Sequence, residues 1–145
     1  MLPTKPKKIL DPLSQRYFGE DDVSYQAAGG EAGIRQLCKA FYRAMDELPE
    51  AATIRAMHKE DLSELEDKLS LFLCGWLGGP IRYRDKYGPI VIPQAHAHLD
   101  IGPEERDAWL QCMQVALDQQ EYTPEFKTYM MQSLWMPAEL CRTRE

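Results

Sequence analysis

The chain has 145 residues, with 17 Lys and Arg against 23 Asp and Glu, a formal net charge of −6 and 44% hydrophobic residues. That length and composition suit one folded domain and exclude a wholly disordered chain. The acidic balance argues against a general nucleic-acid binder, and no run of about 18 apolar residues is present to span a membrane.

Residues 1–22 hold Pro3, Pro6 and Pro12 among mixed charges without sustained periodicity. This predicts an N-terminal extension, ordered only in part, ahead of a domain at 23–145. Lys5, Lys7 and Lys8 precede no apolar stretch, so a secretory signal is not indicated and the expected compartment is the cytoplasm. Helical patterning begins near Ser24, and Gly29-Gly30 breaks a short first helix. Ile34, Leu37, Cys38, Phe41, Met45 and Leu48 then recur at three- and four-residue steps, which predicts an amphipathic helix over 31–48, turned by Pro49. A second stripe runs Leu62, Leu65, Leu69, Phe72, Leu73, Trp76. Asp61 and Glu64 are expected to form a capping box at its start, and Gly78-Gly79-Pro80 stops it.

From 80 to 93, Pro80, Gly88, Pro89 and Pro93 among charged and aromatic groups predict a long loop. Such loops in compact domains are usually functional or disordered. A short apolar segment then carries His96 and His98. Gly102-Pro103-Glu104-Glu105 predicts a helix start, with Pro at the first position and carboxylates at the positive end of the dipole. That helix bears Trp109, Cys112, Met113 and Ala116. Thr123-Pro124-Glu125 opens a last helix, with Phe126, Met130 and Leu134, that Pro137 ends or kinks. The expected fold class is all-α, with five or six helices. Cys38, Cys74, Cys112 and Cys141 lie on or beside apolar stripes with no C-x-x-C, the pattern of reduced core thiols.

There is no nucleophile elbow, P-loop or dinucleotide fingerprint. His96 and His98 offer two ligands in H-x-H spacing, but zinc needs three or four, and no Cys or carboxylate motif completes a set with the distant His58. An imidazole among apolar neighbours is either a satisfied packing histidine or an axial ligand to a cofactor that brings its other donors. Haem is that case, because the porphyrin supplies four nitrogens. Tyr42 and Trp109 read as packing aromatics, each with a polar handle that needs a partner if buried.

Several motifs occur in a fixed order: an early Gly-Gly, the pair Phe41-Tyr42, Leu69-Ser70-Leu71-Phe72-Leu73, and then Gly78-Gly79-Pro80. Tyr83 and Gly88 follow in the loop, and His96 stands sixteen residues past Pro80. The string Glu105-Arg106-Asp107-Ala108-Trp109-Leu110-Gln111-Cys112-Met113 comes last. In this order the chain resembles the group II truncated haemoglobins over about residues 24–140. The resemblance implies a truncated globin-like two-over-two helical sandwich enclosing haem b, iron protoporphyrin IX, with His96 as the iron ligand and His98 without a ligand role. It puts Tyr42, His58, Leu65 and Trp109 on the distal, ligand-binding side. Around the cofactor it puts His96, Lys68, Leu69, Phe72, Leu73, Tyr83, Ile92 and Trp109.

Leu65 and Leu69 stand one turn apart and share a helix face. Hydrogen bonding to a diatomic ligand therefore falls to Tyr42, Trp109 and His58. Many members of the family carry Arg immediately before the proximal histidine. Here that residue is Ala95, so propionate anchoring is expected to shift to Lys68, Tyr83 or Arg82. The resemblance implies a protein that binds O2, CO and NO for sensing or redox chemistry rather than bulk transport. The alternative is a nitric-oxide dioxygenase or a peroxidase-like detoxifying enzyme, turning over peroxide or NO with a reductase as partner. A cofactor-free interaction module is the reading from a different class. A monomer or weak homodimer is expected.

Overall fold

The computed structural model describes residues 8–145. Pro3, Pro6, Lys5 and Lys7 of the extension lie outside the described residues. The described part of the extension folds back on itself. Asp11 N–H donates to Arg16 O at 2.8 Å, Phe18 N–H donates to Ile9 O at 3.0 Å, and Leu10 and Tyr17 form an isolated bridge. Phe18, which belongs to no periodic stripe, is buried, with its ring centroid 5.5 Å from Phe126 and 5.1 Å from Tyr129.

Among the described residues eight α-helices follow, more than the five or six expected because short turns α3, α5 and α6 add to the long ones: α1 (Val23–Ala27), α2 (Gly30–Glu47), α3 (Ala52–Ala56), α4 (Ser63–Trp76), α5 (Tyr83–Tyr87), α6 (Ile92–His96), α7 (Pro103–Asp118) and α8 (Pro124–Leu140). A 3₁₀ turn, Pro49–Ala51, makes the corner that Pro49 predicts. Gly29 starts α2 from the left-handed region at φ 92°, which a side chain would strain. Gly78, at φ 94°, does the same after α4, where Tyr25 N–H reaches back to Leu77 O at 3.0 Å.

The four long helices form the frame: α2 packs on both α4 and α7, and α7 packs on α8. The apolar stripes read from the sequence meet inside it. Ile34, Leu37, Phe41 and Met45 of α2 are buried with Leu73 and Cys74 of α4, Met113 and Leu117 of α7, and Phe126, Met130 and Leu134 of α8. Each such side chain contributes about 1.5–3 kcal/mol by leaving water. Cys38, Cys74 and Cys112 are buried and Cys141 is half-buried, all as free thiols.

Three local expectations change. The 80–93 stretch contains a helical turn, α5, because Asp67 on α4 accepts from Lys86 Nζ at 2.7 Å and Tyr87 Oη at 2.6 Å and holds that turn against α4. Asp61 does not pair with Glu64 in a capping box. It accepts from Ser63 N–H and Oγ at 2.9 and 2.7 Å, while Glu64 lies 3.3 Å from Lys68 along the helix. Pro137 does not end α8, which runs on to Leu140.

Candidate functional site

Between the α2–α4–α7 face and the segment from α5 to Ile101 lies a cavity of about 310 Å³. Such a volume is within the range of small-ligand and cofactor sites. Tyr42 of α2, His58 just past α3, Leu65, Lys68, Leu69, Phe72 and Leu73 of α4, Tyr83 of α5, Ile92 and His96 of α6, and Trp109 of α7 all line it. The structure thus brings together every site residue expected from the sequence. His98 and Arg82 are absent from the lining. Arg82 pairs with Glu31 on the surface, outside the lining. Part of the lining was not legible in the sequence: Leu99, Ile101, Arg106, Leu134, Ala138 and Cys141 also contribute to it. Leu134 and Ala138 stand one turn apart on α8, a spacing that could have flagged them.

The two histidines on this cavity are held alike. His96 Nδ1 lies 2.8 Å from Ile92 O, and His58 Nδ1 lies 2.6 Å from Ile54 O. A carbonyl oxygen only accepts, so each Nδ1 carries the proton and each Nε2 is bare when the ring is neutral. A bare Nε2 is what a metal ligand requires, and the carbonyl that fixes the tautomer also fixes the ring. Burial lowers the His58 pKa, and Arg55 and His96 lower it further against the Ile54 bond. Neutral His58 therefore accepts at Nε2, and it donates there only when protonated.

An aromatic run backs the distal wall. Phe41, fully buried, lies 5.0 Å from Trp109 and 4.9 Å from Tyr42, and Tyr42 lies 6.2 Å from His58, centroid to centroid. Among the described residues neither the Tyr42 hydroxyl nor the Trp109 indole N–H has a hydrogen-bond partner, and both side chains line the cavity. Burial pushes the Tyr42 phenol up, with Cys38 and Glu66 adding to it, so the group stays a hydroxyl and a donor. At the mouth, Lys68 Nζ sits 5.1 Å over the Tyr87 ring, and Tyr83 and Tyr87 lie 5.3 Å apart. Lys86, then Tyr87 and Arg35, hold the Asp67 carboxyl well below the usual carboxylate range.

Among the described residues no group of three or more His, Cys, Asp or Glu could hold a metal ion. The donor set is instead one imidazole per wall, in a cleft lined largely by apolar side chains with Lys68, Glu105 and Arg106 among them. This suits an iron that arrives with four porphyrin nitrogens, and Lys68 at the mouth suits the carboxylates of that cofactor. A helical sandwich around such a cavity is the globin class of architecture.

The model of the bacterial-like globin family matches residues 23–139. The chain is 31% identical over 117 residues to the Group 2 truncated hemoglobin YjbI of Bacillus subtilis (strain 168), covering 81% of this chain and 86% of that relative. Among solved structures, it is similar to the Group II 2-on-2 hemoglobin from the plant pathogen Agrobacterium tumefaciens, with 38% identity, a TM-score of 0.79, and coverage of 84% of this chain and 95% of that one. It is also similar to the cold-adapted truncated hemoglobin from the Antarctic marine bacterium Pseudoalteromonas haloplanktis TAC125, with 30% identity, a TM-score of 0.80, and coverage of 84% and 98%. The chain belongs to the bacterial-like globin family, in its group II truncated haemoglobin branch. Membership implies a haem cofactor and haem-based binding of small gas ligands. No helix among the described residues is long and apolar enough to cross a membrane.

Proposed function

We propose that the chain holds haem b through His96 Nε2 and binds O2, CO and NO on the opposite side, for sensing or redox chemistry rather than bulk transport. One observation carries this reading. His96 is locked by a backbone carbonyl with Nε2 bare, while Tyr42 and Trp109, whose hydroxyl and indole N–H have no hydrogen-bond partner among the described residues, line the same cavity.

The haem would supply an iron centre able to take a diatomic ligand. The chain supplies the rest. Tyr42 Oη and Trp109 Nε1 donate to the ligand from two different helices, and a donor is worth most where negative charge gathers. The pair would therefore favour O2, the ligand better able to carry negative charge, over CO and would slow O2 release. That is poor design for delivery. His58, its ring centroid 6.2 Å from that of Tyr42, packs beside the phenol and leaves the hydroxyl's single proton for the ligand. Leu65 and Leu69 bring no competing imidazole or donor, and they keep water from the ligand. Phe72, Leu73 and Ile92 supply apolar contact to the ring. Lys68 and Tyr83 take the propionates in place of the arginine that Ala95 lacks.

The partner of His96 Nδ1 is a carbonyl and not a carboxylate, which limits electron push from the ligand. That favours reversible binding over peroxide cleavage. The free thiols, three of them buried, fit a reducing compartment, the cytoplasm. Absorption spectra of the haem-reconstituted chain in its ferric, ferrous and CO-bound forms test the proposal. A five-coordinate ferrous spectrum is expected. A low-spin bis-histidine spectrum at neutral pH would overturn the distal assignment and bring His58 inward as a ligand.

A further inference from the structure

One side of the cavity is tied by residues that lie outside both the apolar stripes and the family match. Residues 97–102 connect His96 to the helix of Trp109, and α5 and α6 before them bury no residue. This connection is held from outside by the last residues of the chain, beyond the family match at 23–139. Thr143 N–H and Arg144 N–H donate to Ile101 O at 2.7 and 3.1 Å. Thr143 Oγ1 accepts from Ile101 N–H at 2.8 Å and donates to Leu99 O at 2.6 Å. Arg144 bonds Asp100 Oδ1 and Glu105 Oε1, each at 2.6 Å. The same Glu105 oxygen caps Gly102 N–H at 2.7 Å, at the start of α7. Leu99, Ile101 and Glu105 line the cavity on their other side.

We infer that Thr143 and Arg144 form a strap that positions the connection between the proximal histidine and α7, and through it the seat of His96. Not every bond counts equally. The Arg144–Asp100 pair is exposed and contributes little. The pair to Glu105 differs, because Glu105 is 8% exposed and losing a partner leaves a buried carboxylate short of a bond. Ile101 N–H and Leu99 O would likewise lose the Thr143 hydroxyl as their partner. Gly102 makes the arrangement possible. A Cβ there would fall on the Arg144 guanidinium, although the backbone at φ −102°, ψ −172° admits any residue. Gly102→Ala therefore displaces Arg144 without deleting a charge.

The inference rests on His96 as the haem ligand, and the test separates the two. Wild type, Thr143→Val with Arg144→Ala, and Gly102→Ala are compared as full-length chains. Amide exchange is read at Ala97 and Leu99, whose N–H groups bond Gln94 O and His96 O and not the strap. Both variants should speed that exchange roughly tenfold in the haem-free chain, the scale of one lost hydrogen bond. In the haem-loaded chain both should shift the iron–histidine stretching band and speed haem transfer to a scavenging apoglobin by a similar factor. A lowered melting temperature with unchanged exchange at Ala97 and Leu99 and an unchanged band would make the strap merely structural and overturn the inference. If wild type takes up no haem, the proposed function fails, and the exchange experiment alone decides the strap.

Discussion

The two walls of the cavity are built on different principles. The distal wall is an outgrowth of the core: Tyr42 sits beside Phe41 on α2, and Leu73 belongs to both the core and the lining. The proximal wall, from α5 to Ile101, is tethered at two points and filled by little of its own. Asp67 ties its start to α4 and the strap at Thr143 and Arg144 ties its end. Side chains with many buried neighbours are fixed by packing, while a wall whose two helices bury no residue depends on its ties and on what fills the cavity. The donors proposed for the ligand therefore stand on the packed side, and the residue proposed to hold the metal stands on the tethered side.

The largest effect expected breaks the proximal wall at its one coordinating bond. His96→Ala should lose haem or need added imidazole to retain it, while His98→Ala should leave the Soret spectrum unchanged. Equal effects from both would remove the assignment. The next compares the walls without cofactor, by urea denaturation of the haem-free chain. Phe41→Ala should cost about 3–5 kcal/mol, as a large ring removed from a full core. Ile92→Ala should cost less than about 1 kcal/mol, as expected where little is buried. Similar losses at the two positions would show that the proximal wall is packed after all.

A smaller effect sharpens the distal side. Tyr42→Phe or Trp109→Phe each removes one donor worth about 0.5–1.5 kcal/mol, and more to a charged acceptor, so O2 release should speed by about tenfold in flash photolysis and stopped-flow. CO release should change less. Because both donors share one ligand, the double variant should be non-additive. Leu65→Ala should raise association rates without removing a donor. An unchanged O2 release in Trp109→Phe would reduce Trp109 to packing.

The smallest effect concerns pH. His58 is lowered from its ordinary value of 6.5 by burial first, with Arg55 and His96 acting in the same direction. The unfolded chain thus takes up this proton first as pH falls. The contribution of His58 to stability is intact above the ordinary value and is lost progressively below it. Denaturation at several pH values should show a shallower acid slope in His58→Phe than in wild type. Identical slopes would mean that His58 titrates as an exposed ring.

What the sequence determined by itself was the core half of the molecule. Periodicity located α2 and α4, because an amphipathic helix writes its buried face at three- and four-residue steps, and Pro-Glu start signals located α7 and α8. The site residues were legible for a different reason. Phe41-Tyr42, the Gly-Gly-Pro stop, His96 and the Trp109 string stand in an order that resembles one family, and none of them alone would have marked a cavity. Tertiary structure decided what depends on partners distant in sequence. Arg82 goes to Glu31 across 51 residues and away from the mouth, and Asp67 turns a Pro- and Gly-rich stretch into α5 across about twenty. Phe18 finds Phe126 from outside any stripe, and Thr143 reaches Leu99 across 44. Such contacts leave no period in the chain, since each is a single pairing whose two ends meet only after the helices have packed.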